Sequence, residues 1–192
     1  MRRLRTPQFG FTAGELTVTV AIATILLSIA GPSYVAIIRT TRLTTQIYDF
    51  YAALNLARSE AVKRGTPVTL CPSTNLTTCA ASGTQWESGW IVFVDANNNH
   101  AVDAGDEILR AAPALAGGYT LRGTSATTLP TYITMNPKGQ TSATGQFVLC
   151  QGGNINPARA ILVSIVGRIS TARDDNGVPV DANGADMTTC TP

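Results

Sequence analysis

From Leu16 to Ile38 the chain runs for 23 residues without a charged side chain, LTVTVAIATILLSIAGPSYVAII. An α-helix rises 1.5 Å per residue and a bilayer core is about 30 Å thick, so roughly 20 such residues cross it. The run therefore predicts one membrane-spanning helix near the amino terminus. Arg2, Arg3 and Arg5 precede it, and the positive-inside bias keeps them cytoplasmic, which places the carboxyl-terminal bulk outside the inner membrane. The ordinary alternative is a secretory signal cut at Ser28-Ile29-Ala30. The length of the run and the acid at its edge, Glu15, weigh against that alternative.

Glu15 sharpens the reading. A carboxylate costs on the order of 2–3 kcal/mol at the centre of a bilayer and less near its interface, so it calls for a partner. If the chain is cut between Gly10 and Phe11, Phe11 becomes the amino terminus, with its cationic amine one helical turn from Glu15. The amine of one subunit can then neutralise the glutamate of the next when helices stack. An acid satisfied only on assembly is a device for building a helical filament. Pro32 removes one helix hydrogen bond and, helped by Gly31, marks a bend or a stretch prone to melt.

The net charge of +2 comes from the leader: a cut after Gly10 removes Arg2, Arg3 and Arg5 and leaves eleven basic against twelve acidic residues. A nearly neutral exterior protein is not a bulk electrostatic binder of nucleic acid. Cys71, Cys79, Cys150 and Cys190 form an even set without CxxC spacing, in a chain with one histidine. They read as two disulfides in an oxidising compartment rather than a zinc site. Three connectivities are open. The expected one joins Cys71 to Cys79 across a short local loop and Cys150 to Cys190, which ties down the tail.

Beyond Ile38, Ile47, Phe50, Tyr51, Leu54, Ala57, Ala61 and Val62 recur at helical spacing, predicting an amphipathic helix over about 44–64 that stops at Gly65. The rest reads as short strands between turn signals: Val68–Cys71, Trp90–Val94, Ile108–Arg110, Tyr119–Leu121, Tyr132–Met135, Phe147–Cys150 and Ile161–Val166, continuing towards Ile169. The turn Asn136-Pro137-Lys138-Gly139 predicts a hairpin between the strands flanking the 136–146 loop. The expected organisation is a leader over 1–10, a membrane and assembly segment over 11–38, and a periplasmic head over 39–192. The fold class is α+β, a long amino-terminal helix packed on an antiparallel β-sheet head.

Two further groups of residues bear on chemistry. Asp95, Asn97, Asn99, Asp103 and Asp106 stand at positions 1, 3, 5, 9 and 12 of a calcium-type loop. His100 occupies the sixth position, where the turn favours glycine, so the competing reading is an Asx-rich turn between strands. Nothing resembles a catalytic constellation: no nucleophile elbow, P-loop or HExxH is present. The expectation is a protein that is not an enzyme and carries no cofactor, calcium excepted.

The glycine-terminated leader, Phe11-Thr12 after the cut, Glu15 as fifth residue and Pro32 as twenty-second resemble the prepilin signal of type IV pilins and type II secretion pseudopilins. Here Ala13-Gly14 replaces that family's usual Leu-Ile. The run Leu56-Ala57-Arg58-Ser59-Glu60-Ala61-Val62-Lys63-Arg64-Gly65 extends the resemblance, followed by Val68-Thr69-Leu70-Cys71, Trp86 and Gly89-Trp90-Ile91-Val92-Phe93-Val94-Asp95. So do Gly139, Phe147-Val148-Leu149-Cys150 and Gly167-Arg168. Together they resemble the GspH/FimT-type minor pilins and pseudopilins. The resemblance implies cleavage after Gly10 by a prepilin peptidase, N-methylation of Phe11, and docking through Glu15. It implies a single-pass inner-membrane subunit that later joins a surface pilus or a periplasmic pseudopilus. Its implied partners are membrane lipid before assembly, minor and major pilins, and a tip adhesin. In DNA-uptake relatives a Gly-Arg-x-Arg motif contacts DNA; here Ser170 stands in place of the second arginine, so Arg168 and the displaced Arg173 are the candidate phosphate contacts.

Overall fold

The computed structural model describes residues 10–83, 85–124, 131–172, 178–180 and 184–190. The chain divides into two compact units, Met1–Thr41 and Arg42–Pro192. Helix α1, Ala13–Arg64, is assigned without interruption through Gly31 and Pro32. Within the first unit, Ala13–Gly31 is the one described stretch long and apolar enough to cross a membrane. Its Leu16, Val18, Ile22, Ile25, Leu27 and Ile29 side chains are each more than half exposed. A helix that is apolar on every side and exposed suits lipid, where its backbone hydrogen bonds are satisfied internally.

In the second unit the helix buries Leu43, Ile47, Phe50, Ala53, Leu54, Ala57 and Ala61, none more than 3% exposed. Their three- and four-residue spacing keeps them on one stripe. Tyr51 packs at its margin. Val62, expected on the apolar face, is instead 53% exposed, because one residue beyond Ala61 is a 100° step off the stripe. The helix ends at Arg64, where Gly65 turns the chain with φ +66°.

Among the described residues eight strands follow: β1 (Val68–Pro72), β2 (Gly89–Val94), β3 (Ile108–Pro113), β4 (Tyr119–Thr124), β5 (Ile133–Met135), β6 (Gly145–Gln151), β7 (Asn154–Val163) and β8 (Ile169–Ala172). A single 3-10 turn, Trp86–Ser88, precedes β2. They form two four-stranded antiparallel sheets, in the orders β3-β2-β1-β5 and β4-β6-β7-β8. Contrary to the expected hairpin, the strands flanking the 136–146 loop, β5 and β6, do not pair with each other; the chain turns back on β5 for one bridge, Met135 with Thr141. The turn itself closes, with Gly139 N–H donating to Asn136 O at 2.8 Å, but Thr141 N–H then donates to Ile165 O at 3.1 Å. That bond draws the chain to the other sheet, so β5 pairs with β1 while β6 pairs with β4 and β7.

The expected strand from Ile161 towards Ile169 is also divided. β7 ends at Val163, and Ser164–Arg168 closes as a turn, with Gly167 at φ +73° and its N–H on Ser164 O at 2.8 Å. β7 begins earlier than hydropathy suggested, at Asn154. Pro157 hid this part, since it cannot donate to a ladder. It is accommodated because the β6–β7 register shifts at Cys150/Gln151.

Both sheets turn an apolar face to the helix and share one core with it. Phe50 joins the three layers: its ring packs edge-on against Trp86 at 5.4 Å, Trp90 at 5.6 Å and Phe147 at 4.7 Å, geometry that aromatic quadrupoles favour. The outer faces are covered as well. Cys71 bonds Cys79, and Leu76, Cys79, Val102 and Tyr132 cover Cys71, Ile91 and Phe93. Cys150 bonds Cys190, bringing Met187 and Val180 over Val148, Ala158, Ala160 and Ala172.

The end of α1 is fastened by charge and by backbone contacts. Arg64 bridges Glu60 at 2.6 Å and Glu107 at 2.5 Å, and its hydrogen bonds hold both carboxyls below the usual carboxylate range. Arg58 Nε donates to Gly139 O at 3.0 Å, and its Nη2 reaches Val166 O at 3.4 Å. One helix side chain thus secures a turn from each sheet.

Candidate assembly site

Gly10, Phe11 and Thr12 lie just ahead of α1 and outside helical conformation, with Phe11 87% exposed. The helix begins at Ala13 because Thr12 caps it. Thr12 Oγ1 accepts from Glu15 N–H at 3.2 Å, while Glu15 Oε2 accepts from Thr12 N–H and from the Thr12 hydroxyl, both at 2.9 Å. This is a reciprocal capping box, in which two orphan donors of the first turn are satisfied by side chains three residues apart. The capping role of Thr12 is absent from the sequence expectations. Its Thr-x-x-Glu spacing ahead of an apolar run was the signal that could have found it. Pro32, the other residue of the expected assembly segment, lies within α1. Gly10 and Phe11 bring the expected cleavage point to within five residues of Glu15.

In the Asp95–Asp106 loop the oxygen side chains make the hydrogen bonds of an Asx-rich turn. Asp95 is fully buried. Its Oδ2 accepts from the Thr69 hydroxyl at 2.8 Å and from His100 N–H at 3.1 Å, and its Oδ1 from Asn99 N–H at 3.0 Å. Asn97 Oδ1 and Asn99 Oδ1 accept from the amides of Asn99 and Ala101, while the Asn97 and Asn99 side-chain amides converge on Asp103 Oδ2 at 2.8 and 2.6 Å. Asp106 accepts from Asp103 N–H at 2.9 Å. All five proposed ligands thus hold the loop itself, and among the described residues no group of three His, Cys, Asp or Glu is placed to hold a metal. Asn98 and His100 take the left-handed conformation, φ +56° and +62°, that a calcium loop gives to glycine. His100 is steadied there by stacking on Tyr132 at 3.9 Å and by Thr134 Oγ1 at 3.3 Å from Nδ1.

Asp95→Ala is accordingly expected to destabilise the head by about 2–3 kcal/mol, since it strips a buried acceptor from a hydroxyl and two amides. Denaturant unfolding followed on Trp86 and Trp90 measures it. Added calcium is expected to leave the unfolding midpoint where it was. A calcium-dependent rise that disappears in Asp95→Ala would support the cation reading.

Arg168 is exposed at the end of the Ser164–Arg168 turn. Arg173 lies outside the described residues. Arg168 therefore stands on a turn held by the Ser164 hydroxyl, which accepts from its amide at 3.2 Å.

A family model and solved structures show what the chain is similar to. A family model described as "Type II transport protein GspH" matches residues 46–167. No curated protein sequence matches. Among solved structures, the type IV minor pilin FimU of Pseudomonas aeruginosa aligns over 74% of this chain and 96% of its own, with a TM-score of 0.58 and 22% identity. A second crystal form of FimU aligns over 72% and 98%, with a TM-score of 0.55 and the same identity. The minor pseudopilin EpsH from the Type 2 Secretion System of Vibrio cholerae covers 68% of this chain and 95% of its own, at 11% identity and a TM-score of 0.48. The head has the fold of the minor pilin, a helix packed on antiparallel sheets.

Proposed function

Since the match over residues 46–167 spans more than half its length, the chain belongs to the GspH family, and from that premise we propose that it is a minor subunit of a type IV pilus. The family and its fold are those of structural pilin and pseudopilin proteins, not enzymes. On this reading the chain is cut after Gly10 by a prepilin peptidase and methylated on Phe11. It is held in the inner membrane by residues 11–38 with its head in the periplasm, and joins other pilins near the filament tip, where it helps to initiate or cap assembly. The carrying observation is the place of Glu15, an acid in the first turn of an exposed, membrane-length apolar helix. In lipid such an acid favours any neighbour that brings a cation to it.

Mass spectrometry of the purified subunit's amino terminus is expected to show N-methyl-Phe11. A terminus after Ala30 would overturn the reading. Deleting the gene is expected to reduce surface piliation while leaving type II secretion intact; the opposite outcome would assign the subunit to a secretion pseudopilus.

A further inference from the structure

The geometry points to Thr12 as a positioning residue that keeps Glu15 self-capped in the unassembled subunit and leaves one carboxylate oxygen free for the neighbouring amine. This rests on the assembly reading above and specifies how its docking acid is presented. Both bonds from Thr12 end on Glu15 Oε2, at 2.9 Å each; Oε1 takes part in neither. The two occupants therefore do not compete. A subunit waiting in the membrane has its acid solvated by its own amide and hydroxyl, which lowers the cost of the unpaired charge at the bilayer edge. On docking, the neighbour's amine meets Oε1 in an orientation that Thr12 has already set, so less side-chain freedom is lost at that moment.

The local sequence makes the cap matter more here. Between Thr12 and Glu15 stand Ala13 and Gly14, and no atom outside the local helix lies within 4 Å of where a Gly14 side chain would begin. Glycine is among the poorest helix formers, and here it occupies the first turn. Without the cap, that turn has little to hold it, and Glu15 would sample many positions. The cap also survives the cut at Gly10, since it uses only the Thr12 amide and hydroxyl and nothing of the leader.

The test compares the full chain, in lipid nanodiscs, with Thr12→Val, which keeps shape and loses the hydroxyl, Thr12→Ser, which restores it, and Glu15→Gln. Hydrogen exchange at the Thr12 and Glu15 amides is expected to quicken about fivefold in Thr12→Val, as loss of a typical cap implies, and to stay within about twofold of the unaltered chain in Thr12→Ser. Mid-helix amides such as Leu26 should not change. Exchange in Thr12→Val indistinguishable from the unaltered chain would overturn the proposal. The second measurement is incorporation into filaments. Thr12→Val subunits shown by mass to be cut after Gly10 should enter several-fold less often, with Thr12→Ser restored. Equal entry of Thr12→Val would remove the positioning role. If the unaltered chain proves not to be cut after Gly10, the assembly reading fails, while the exchange data still decide whether Thr12 caps Glu15.

Discussion

Gly167→Ala is expected to lower the stability of the head by about 4 kcal/mol, a large effect for one added methyl group. Gly167 has φ +73°, and a Cβ built there lies 1.8 Å from Gly139 O and 3.1 Å from Arg58 Nε. A side chain in this conformation costs about 1–2 kcal/mol in local strain. The overlap with a carbonyl adds roughly 1–3 kcal/mol, because backbone rather than a flexible side chain must move. The displaced carbonyl is also the acceptor of the Arg58 bond, 3.0 Å long in the intact protein, so the helix loosens from both turns together. Gly139→Ala is the informative contrast. Its φ is +75°, yet the new Cβ would meet only the side chains of Val62 and Arg58, at 3.2 and 3.3 Å. About 1–2 kcal/mol is expected there. Denaturant unfolding monitored on the two buried tryptophans separates the cases. Equal losses at the two glycines would show that backbone conformation alone, and not the Gly139–Gly167 contact, sets the cost.

Removing the Cys150–Cys190 bond, as Cys150→Ala with Cys190→Ala, should cost a similar amount. The bond closes a span of 40 residues, and chain entropy assigns about 4 kcal/mol to a loop of that length, against about 2.5 kcal/mol for the Cys71–Cys79 bond, whose span is 8 residues. The tail also has a packing role. Met187 and Cys190 are at most 9% exposed and lie against Val148, Ala158, Ala160 and Ala172. Once the tether is gone, that outer face of the second sheet loses part of its cover, and the extra exposed apolar surface invites self-association. The double variant is expected to unfold at a midpoint roughly 10 °C lower. It should lose more stability than the variant lacking Cys71–Cys79, and a smaller loss than at that short loop would defeat the argument from loop length.

How far the sequence was readable depended on the range over which each feature is decided. Features fixed within a turn or two of chain were visible. The stop at Gly65 needs only a glycine after an apolar stripe, and the turn at Asn136–Gly139 needs only its own four residues. The Thr12–Glu15 cap was equally local and could have been read, since both partners lie in one first turn. The Asp95 loop was visible as two alternatives, calcium site or Asx turn, and its oxygens make the hydrogen bonds of the turn. Features decided by distant partners were not visible. The hairpin expected across 136–146 stops at the single Met135–Thr141 bridge, and β6 pairs in the other sheet, where Thr141 N–H finds Ile165 O, 24 positions away. The early part of β7 was masked by Pro157, whose tolerance depends on the register shift between β6 and β7.

Physically, the amino-terminal 38 residues carried their own instructions: an uncharged run of bilayer length, basic residues before it and one acid at its edge. These act through solvent, whether water or lipid, and need no particular tertiary partner, so the sequence by itself determined an apolar helix long enough to cross a membrane, with one acid in its first turn. The sequence also determined that a β-rich, disulfide-tied head would pack on an amphipathic helix, because burial follows periodicity. Only the tertiary structure decided that the head has two sheets rather than one, that Phe50 touches both, and that Gly139 and Gly167 meet under Arg58. Such contacts join residues far apart in the chain, and loop entropy makes each pairing conditional on all the others forming. The short pattern around any one of them therefore cannot specify it.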